Sequence, residues 1–261
     1  LAEGISEGTW KRFLAGKRPI KAEAFKAYST VLELNWQELI HRGSMQDWGE
    51  APETSVVYGR TEELATLEQW LVRDKCRLVT LLGMGGVGKT ALAVRLAESI
   101  QDRFESLIWR SLRYSPAFDD ILAELIRALS SQHSTVARGD VSAATPSVEG
   151  MLPTSVSARL SLLIDCLRKS RCLVVLDNFE AILRDGESSA KTLRYRPGDY
   201  LDSYEGYGEL LRRVGESQHQ SAIVVISREK PREIAAIEGK SLPIRCLQLN
   251  GLREEEAKEI L

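Results

Sequence analysis

The chain has 261 residues, 43% hydrophobic and 28% charged, with a formal net charge of −2. That is an ordinary globular composition with room for one large domain or two unequal ones. So even a charge balance excludes bulk attraction to nucleic acid or membrane, and either role would need a local patch.

Four cysteines, Cys76, Cys166, Cys172 and Cys246, form no C-x-x-C pair, and no histidine completes a zinc site. They are expected to be packed free thiols of a reducing, cytoplasmic compartment. No apolar run approaches the ~20 residues that span a bilayer. The opening LAEGISEGTW lacks a signal-peptide pattern and an initiator Met, so the chain is expected to be a piece of a longer protein.

Residues 1–43 read as a small all-α domain. Ser6 caps a helix reaching Leu14, with Trp10, Phe13 and Leu14 apolar, and Gly16 and Pro19 end it. A second helix covers about 22–32, with Phe25, Tyr28 and Leu32 on one side, and a third follows Asn35. Residues 44–55, SMQDWGEAPETS, are polar and aperiodic and read as a linker.

From Val56 to Leu261 the pattern alternates strand and helix. Strands are predicted over 77–82, 106–109, 172–176, 222–226 and 242–247. Helices are predicted over 89–101, 119–130, 155–168 and from 253. Residues 132–153 are rich in Ser, Ala, Thr and Gly and read as a mobile loop. Residues 183–208, polar and carrying Tyr195, Tyr200, Tyr204 and Tyr207, read as a surface insertion. Short β-branched strands separated by helices predict a parallel, doubly wound α/β sheet.

GMGGVGKT, Gly83 to Thr90, fits G-x-x-x-x-G-K-[ST] at every fixed position. It follows an apolar strand and opens an apolar helix, as a phosphate-binding P-loop must. Gly85, Gly86 and Gly88 let backbone N–H groups, Val87 and Ala91 among them, converge on phosphate oxygens. The helix N-terminus adds partial positive charge. Lys89 brings a full charge to the outer phosphates, and the Thr90 hydroxyl suits Mg²⁺. The ligand is expected to be a purine nucleoside di- or triphosphate with Mg²⁺.

CLVVLDN ends an apolar strand on Asp177, placed as the second protein ligand of the metal in a Walker B element. Glu180 follows, either a water-orienting carboxylate or an exposed loop residue. IVVISR ends another strand on Ser227 and Arg228. Ligands of open parallel sheets sit beyond the carboxyl ends of strands, so Arg228 is a candidate sensor of the third phosphate.

These residues resemble the NB-ARC class of signalling P-loop ATPases with numerous domains (STAND), over about residues 56–261. VYGR, with Gly59 and Arg60, is similar to the motif that contacts adenine and sugar in that family. GMGGVGKT, FESLIWRSL, LVVLDN, VVISR and LNGLREEEAKEIL are similar to its successive motifs. Thr61 and Asn178 stand where the family usually has Glu and a second Asp. The resemblance implies a P-loop α/β fold of about five parallel strands, with the sensor strand between the P-loop and Walker B strands. It implies an ATP/ADP switch, with ADP at rest, ATP-driven activation and self-association, and slow hydrolysis. The family's adenine-packing Gly-x-Pro segment and its His-containing motif fall beyond residue 261.

GISEGTWKRFLAGKRPI and LELNWQELI resemble small helix-turn-helix repressors. The basic run Lys11, Arg12, Lys17, Arg18 and Lys21 has no acidic residue among it, which suits phosphate contacts. Glu7 and Gly8 at the start of the recognition helix suit base reading poorly. A DNA partner and a protein partner both remain open, and a nucleotide-controlled transcription regulator is the alternative function. A GTPase lacks its Asn-Lys-x-Asp guanine reader here.

Overall fold

The computed structural model describes residues 45–53, 58–136, 152–184, 196–239 and 242–251. The helix-turn-helix module of residues 1–43, Tyr195 and the helix expected from 253 lie outside the described residues.

Among the described residues six strands form one sheet: β1 Met45–Asp47, β2 Leu78–Leu82, β3 Ser106–Ser111, β4 Cys172–Asp177, β5 Ala222–Ser227 and β6 Ile244–Gln248. Every pairing is parallel, in the order β1-β3-β4-β5-β2-β6. The expected strand order holds, with β5 between β2 and β4.

Among the described residues six α-helices flank it: α1 Thr61–Glu68, α2 Lys89–Ile100, α3 Phe118–Val136, α4 Val156–Lys169, α5 Glu205–Glu216 and α6 Arg232–Ile237. No described helix is long and apolar enough to cross a membrane.

The strands read as unbroken apolar runs because both sheet faces are covered. β2, β4 and β5 are buried at every position. Alternate side chains enter two different cores. Cys172, Val174, Leu176, Ile223 and Val225 join α3, α4 and α5 on one face. Leu173, Val175, Val224 and Ile226 join α1 and α2 on the other. Ser155 caps α4, its hydroxyl accepting from the Ala158 N–H at 3.2 Å.

Three expectations need correction. The segment read as a linker contains β1, which adds a sixth strand. Trp48 stacks on Trp109 at 6.3 Å, and Asp47 pairs with Arg110 at 2.6 Å, so three residues of edge strand are held by side chains rather than by apolar periodicity. Of the stretch read as a loop from 132, residues 132–136 are helical, because α3 continues to Val136, and 137–151 lie outside the described residues.

The supposed surface insertion closes one core. Tyr200 is 3% and Tyr207 0% exposed. Phe118 and Phe179 meet Tyr207 edge-on at 5.0 and 6.0 Å. The phenols of Tyr204 and Tyr207 donate to the carbonyls of Ser115 at 2.7 Å and Pro116 at 2.9 Å. An apolar ring with a satisfied hydroxyl belongs inside. Tyr207, Leu210, Leu211 and Val214 are the buried stripe of α5, a helical spacing hidden among charged neighbours. Gly206 and Gly198 permit close approaches here. A Cβ on Gly206 would stand 2.7 Å from Phe118 Cγ, and one on Gly198 would run into the Lys230 carbonyl.

Candidate functional site

The P-loop leaves β2 after Leu82 and turns into α2 at Lys89. Gly86 and Gly88 adopt φ of 77° and 93°, a left-handed backbone that favours glycine. A Cβ on either would meet nothing within 4 Å, so the requirement is conformational rather than a lack of space. Gly88 caps α2, whose first N–H groups are left free for an anion.

Lys89 is 8% exposed, and its Nζ donates to Gly83 O at 2.8 Å and Met84 O at 2.9 Å. The ammonium is thus folded back over its own loop. Burial pushes its pKa down, while the charge of Glu180 opposes that shift.

Asp177 ends β4 at 4% exposure. Its Oδ1 accepts the Asn178 N–H at 2.8 Å and the Thr90 hydroxyl at 3.2 Å. Burial raises the pKa of this carboxyl, against the opposing pull of those two donors. Asn178 has φ 56°, a turn that asparagine tolerates better than most residues. Its side-chain oxygen accepts from the Ser111 hydroxyl at 3.2 Å, tying the ends of β3 and β4 together.

Glu180 lies in a short 3-10 turn, and its Oε1 pairs with Arg228 Nε at 3.1 Å. A cleft of about 240 Å³ gathers these groups beyond the strand ends. Gly85, Gly86, Gly88, Lys89, Thr90 and Ala91 line it from the P-loop. Asp177 at the end of β4 lines it with Asn178 and Glu180 just beyond, and Ile226 of β5 lines it with Arg228 just beyond that strand.

Gly59, Arg60, Gly83 and Val87 do not line this cleft. Arg60 has φ 66° and is 5% exposed. Its guanidinium donates to Glu63 Oε1 at 2.8 Å, Asn250 O at 2.6 Å and Val87 O at 3.3 Å. It therefore braces the P-loop against the chain after β6.

The donor set fits a hard divalent ion. A hydroxyl and a carboxylate oxygen meet at Thr90 and Asp177, and Mg²⁺ takes one or two protein oxygens and completes its shell with phosphate and water. No cluster of three or more His, Cys, Asp or Glu among the described residues would hold a metal unaided. Three groups escaped sequence reading: the Asn178 turn with Ser111, the Glu63 and Asn250 anchors of Arg60, and the pairing of Glu180 with Arg228. Asn178 after a strand-ending Asp was a usable signal for the first. The Asn250 contact and the Glu180–Arg228 pair join residues far apart in the chain.

A parallel sheet with a phosphate loop, a buried strand-end carboxylate and an arginine in one cleft defines a nucleotide-binding P-loop domain. The chain belongs to the AAA ATPase domain family, whose model matches residues 56–195. A WD repeat-containing protein of Nostoc sp. is 46% identical over 289 aligned residues, covering 100% of this chain and 21% of its own length. The chain thus spans about a fifth of that relative. The disease resistance RPP13-like protein 3 of Arabidopsis thaliana is 39% identical over 59 residues, 22% of this chain and 7% of its own. A chain of the E. coli MS115-1 HORMA:CdnC:Trip13 complex shares 15% identity at a TM-score of 0.45, covering 78% of this chain and 67% of that one. So remote a likeness carries no argument.

Proposed function

We propose that this chain is the ATP/ADP switch of a larger NB-ARC-class signalling protein. ADP holds a resting state, and exchange for ATP favours an open, self-associating one. Slow hydrolysis of ATP to ADP and phosphate resets it. The observation that carries this reading is the convergence of Lys89, the Thr90–Asp177 pair and Arg228 on one cleft. Lys89 and the loop N–H groups would hold phosphates common to both nucleotides. Arg228 stands at the end of the neighbouring strand as the group able to distinguish the third.

In this reading Thr90 and Asp177 hold Mg²⁺, which when bound neutralises developing phosphate charge. Glu180 orients a water or takes its proton, and Arg60 keeps the loop in register. A near-complete flip between two states needs the nucleotides to discriminate between them by about 5.5 kcal/mol. The 59-residue match to a disease resistance protein supports the class, and the Nostoc relative's name suggests WD repeats as the sensing part.

Residues 1–43 would form a helix-turn-helix-like module. Its basic run supports a second reading, a transcription regulator under nucleotide control. Salt-dependent binding to duplex DNA, lost when Lys11 and Lys17 are neutralised, would favour it, and indifference to DNA at low salt would sink it.

The switch reading is tested by releasing nucleotide from freshly denatured protein and separating it by ion exchange, beside a Lys89→Ala control. Stoichiometric ADP in the wild type, absent from the variant, is the expected result. A protein that carries no nucleotide and takes up neither ADP nor ATP with Mg²⁺ would overturn it.

A further inference from the structure

Glu180 and Arg228 engage each other twice. Glu180 Oε1 stands 3.1 Å from Arg228 Nε, and Glu180 Oε2 accepts the Arg228 backbone N–H at 3.3 Å. Both oxygens of the carboxylate are committed to one residue. The guanidinium also rests on the P-loop, where a Cβ on Gly85 would stand 3.0 Å from Arg228 Cζ. The glycine thus provides its seat. The Glu180 side chain is 19% exposed and that of Arg228 62%, so the arginine is the partner with freedom to leave.

We propose that the Glu180–Arg228 pair is a latch opened by the third phosphate of a bound nucleotide. This inference rests on the switch reading above and supplies what separates ATP from ADP. The pairing with Glu180 neutralises the guanidinium and fixes its orientation on the carboxylate side, so a terminal phosphate competes with Glu180 for the same charge. Phosphate oxygens form charge-assisted, bidentate contacts with arginine, and a triphosphate brings them further along the cleft than a diphosphate does. ADP leaves the latch closed, with Glu180 occupied and unavailable to a water. ATP draws Arg228 away and frees Glu180 in the same movement. Glu180 is therefore a competitor of the triphosphate before it is of any use to hydrolysis.

The test measures dissociation constants of Mg²⁺-ADP and a Mg²⁺-bound non-hydrolysable ATP analogue on the full chain. Wild type, Glu180→Gln, Arg228→Ala and the double variant are compared, with a thermal melt of each to establish folding. Should Arg228→Ala not fold, Arg228→Gln replaces it. Glu180→Gln is expected to tighten the analogue relative to ADP by about two- to fivefold, the range of partly exposed ion pairs. In the Arg228→Ala background the same substitution should affect both nucleotides alike. An equal effect on both nucleotides with Arg228 present, or a preference for the analogue that persists without Arg228, would overturn the latch and leave the switch reading standing. Failure of the wild type to bind either nucleotide would overturn both.

Discussion

The Thr90 hydroxyl donates to Asp177 Oδ1 across 3.2 Å, joining the first turn of α2 to the end of β4 through the two oxygens best suited to a divalent ion. Thr90→Ala and Asp177→Asn should each weaken binding of the Mg²⁺-nucleotide by at least about tenfold, the lower end of what loss of even an outer-shell partner costs. Binding in EDTA should change much less. Titration of a fluorescent nucleotide with and without Mg²⁺ checks this, and equal losses in both conditions would remove Thr90 and Asp177 as ligands.

Asp177 also carries a cost to the free protein. Burial disfavours its charged form, a penalty a neutral amide does not bear. Asp177→Asn should therefore raise the melting temperature of nucleotide-free protein, at about 2–4 °C for each kcal/mol in a domain of this size. The amide oxygen still accepts from Asn178 and Thr90. A lower melting temperature would show that the carboxylate stabilises the fold.

Arg60 is a brace with a 6% exposed side chain. Arg60→Ala leaves the Asn250 and Val87 carbonyls and one Glu63 oxygen without their partner, at an expected cost of about 2–3 kcal/mol in urea unfolding. Arg60→Lys should restore little, because an ammonium lacks the spread of a guanidinium's donors. Full rescue by lysine would mean that charge alone matters.

Gly206 lets α5 approach the Phe118 ring, and a methyl there would stand 2.7 Å from Cγ. Gly206→Ala should destabilise by about 1–3 kcal/mol through overpacking, although alanine is the better helix former. Denaturant melts of the two proteins decide whether packing or propensity wins.

His219 gives a pH signature. Its Nε2–H donates to Val214 O at 3.0 Å, and burial is the main cause that holds its pKa below the ordinary value. The unfolded imidazole binds a proton near pH 6.5, before the folded one does. Stability is therefore present above about pH 6.5 and is lost as pH falls, by at most about 1.4 kcal/mol per unit, until the folded pKa is reached. His219→Gln should flatten that part of the stability curve between pH 7.5 and 5.5, and parallel curves would contradict the assignment.

What the sequence revealed followed from local pattern. β2, β4 and β5 were legible because a strand covered on both faces is an unbroken apolar run, and the phosphate loop because its chemistry is contiguous. Asp177 and Arg228 were legible because each ends such a strand. β1 was not, since three residues carry no period and depend on Trp109 and Arg110 across the sheet. α5 was overlooked although its apolar spacing is regular, because Glu209, Arg212, Arg213 and Glu216 outweigh it in composition. The Arg60 brace, whose contact with Asn250 spans 190 residues, leaves no local trace.

Gly198 presses on the chain just beyond Arg228: its missing Cβ makes room for the Lys230 carbonyl, and its own carbonyl accepts the Arg232 N–H at 3.1 Å. The arginine is thus only a few bonds from a fixed point of contact with the stretch that leads into α5. A methyl at Gly198 would therefore disturb the backbone two residues from Arg228 as well as the stretch that leads into α5.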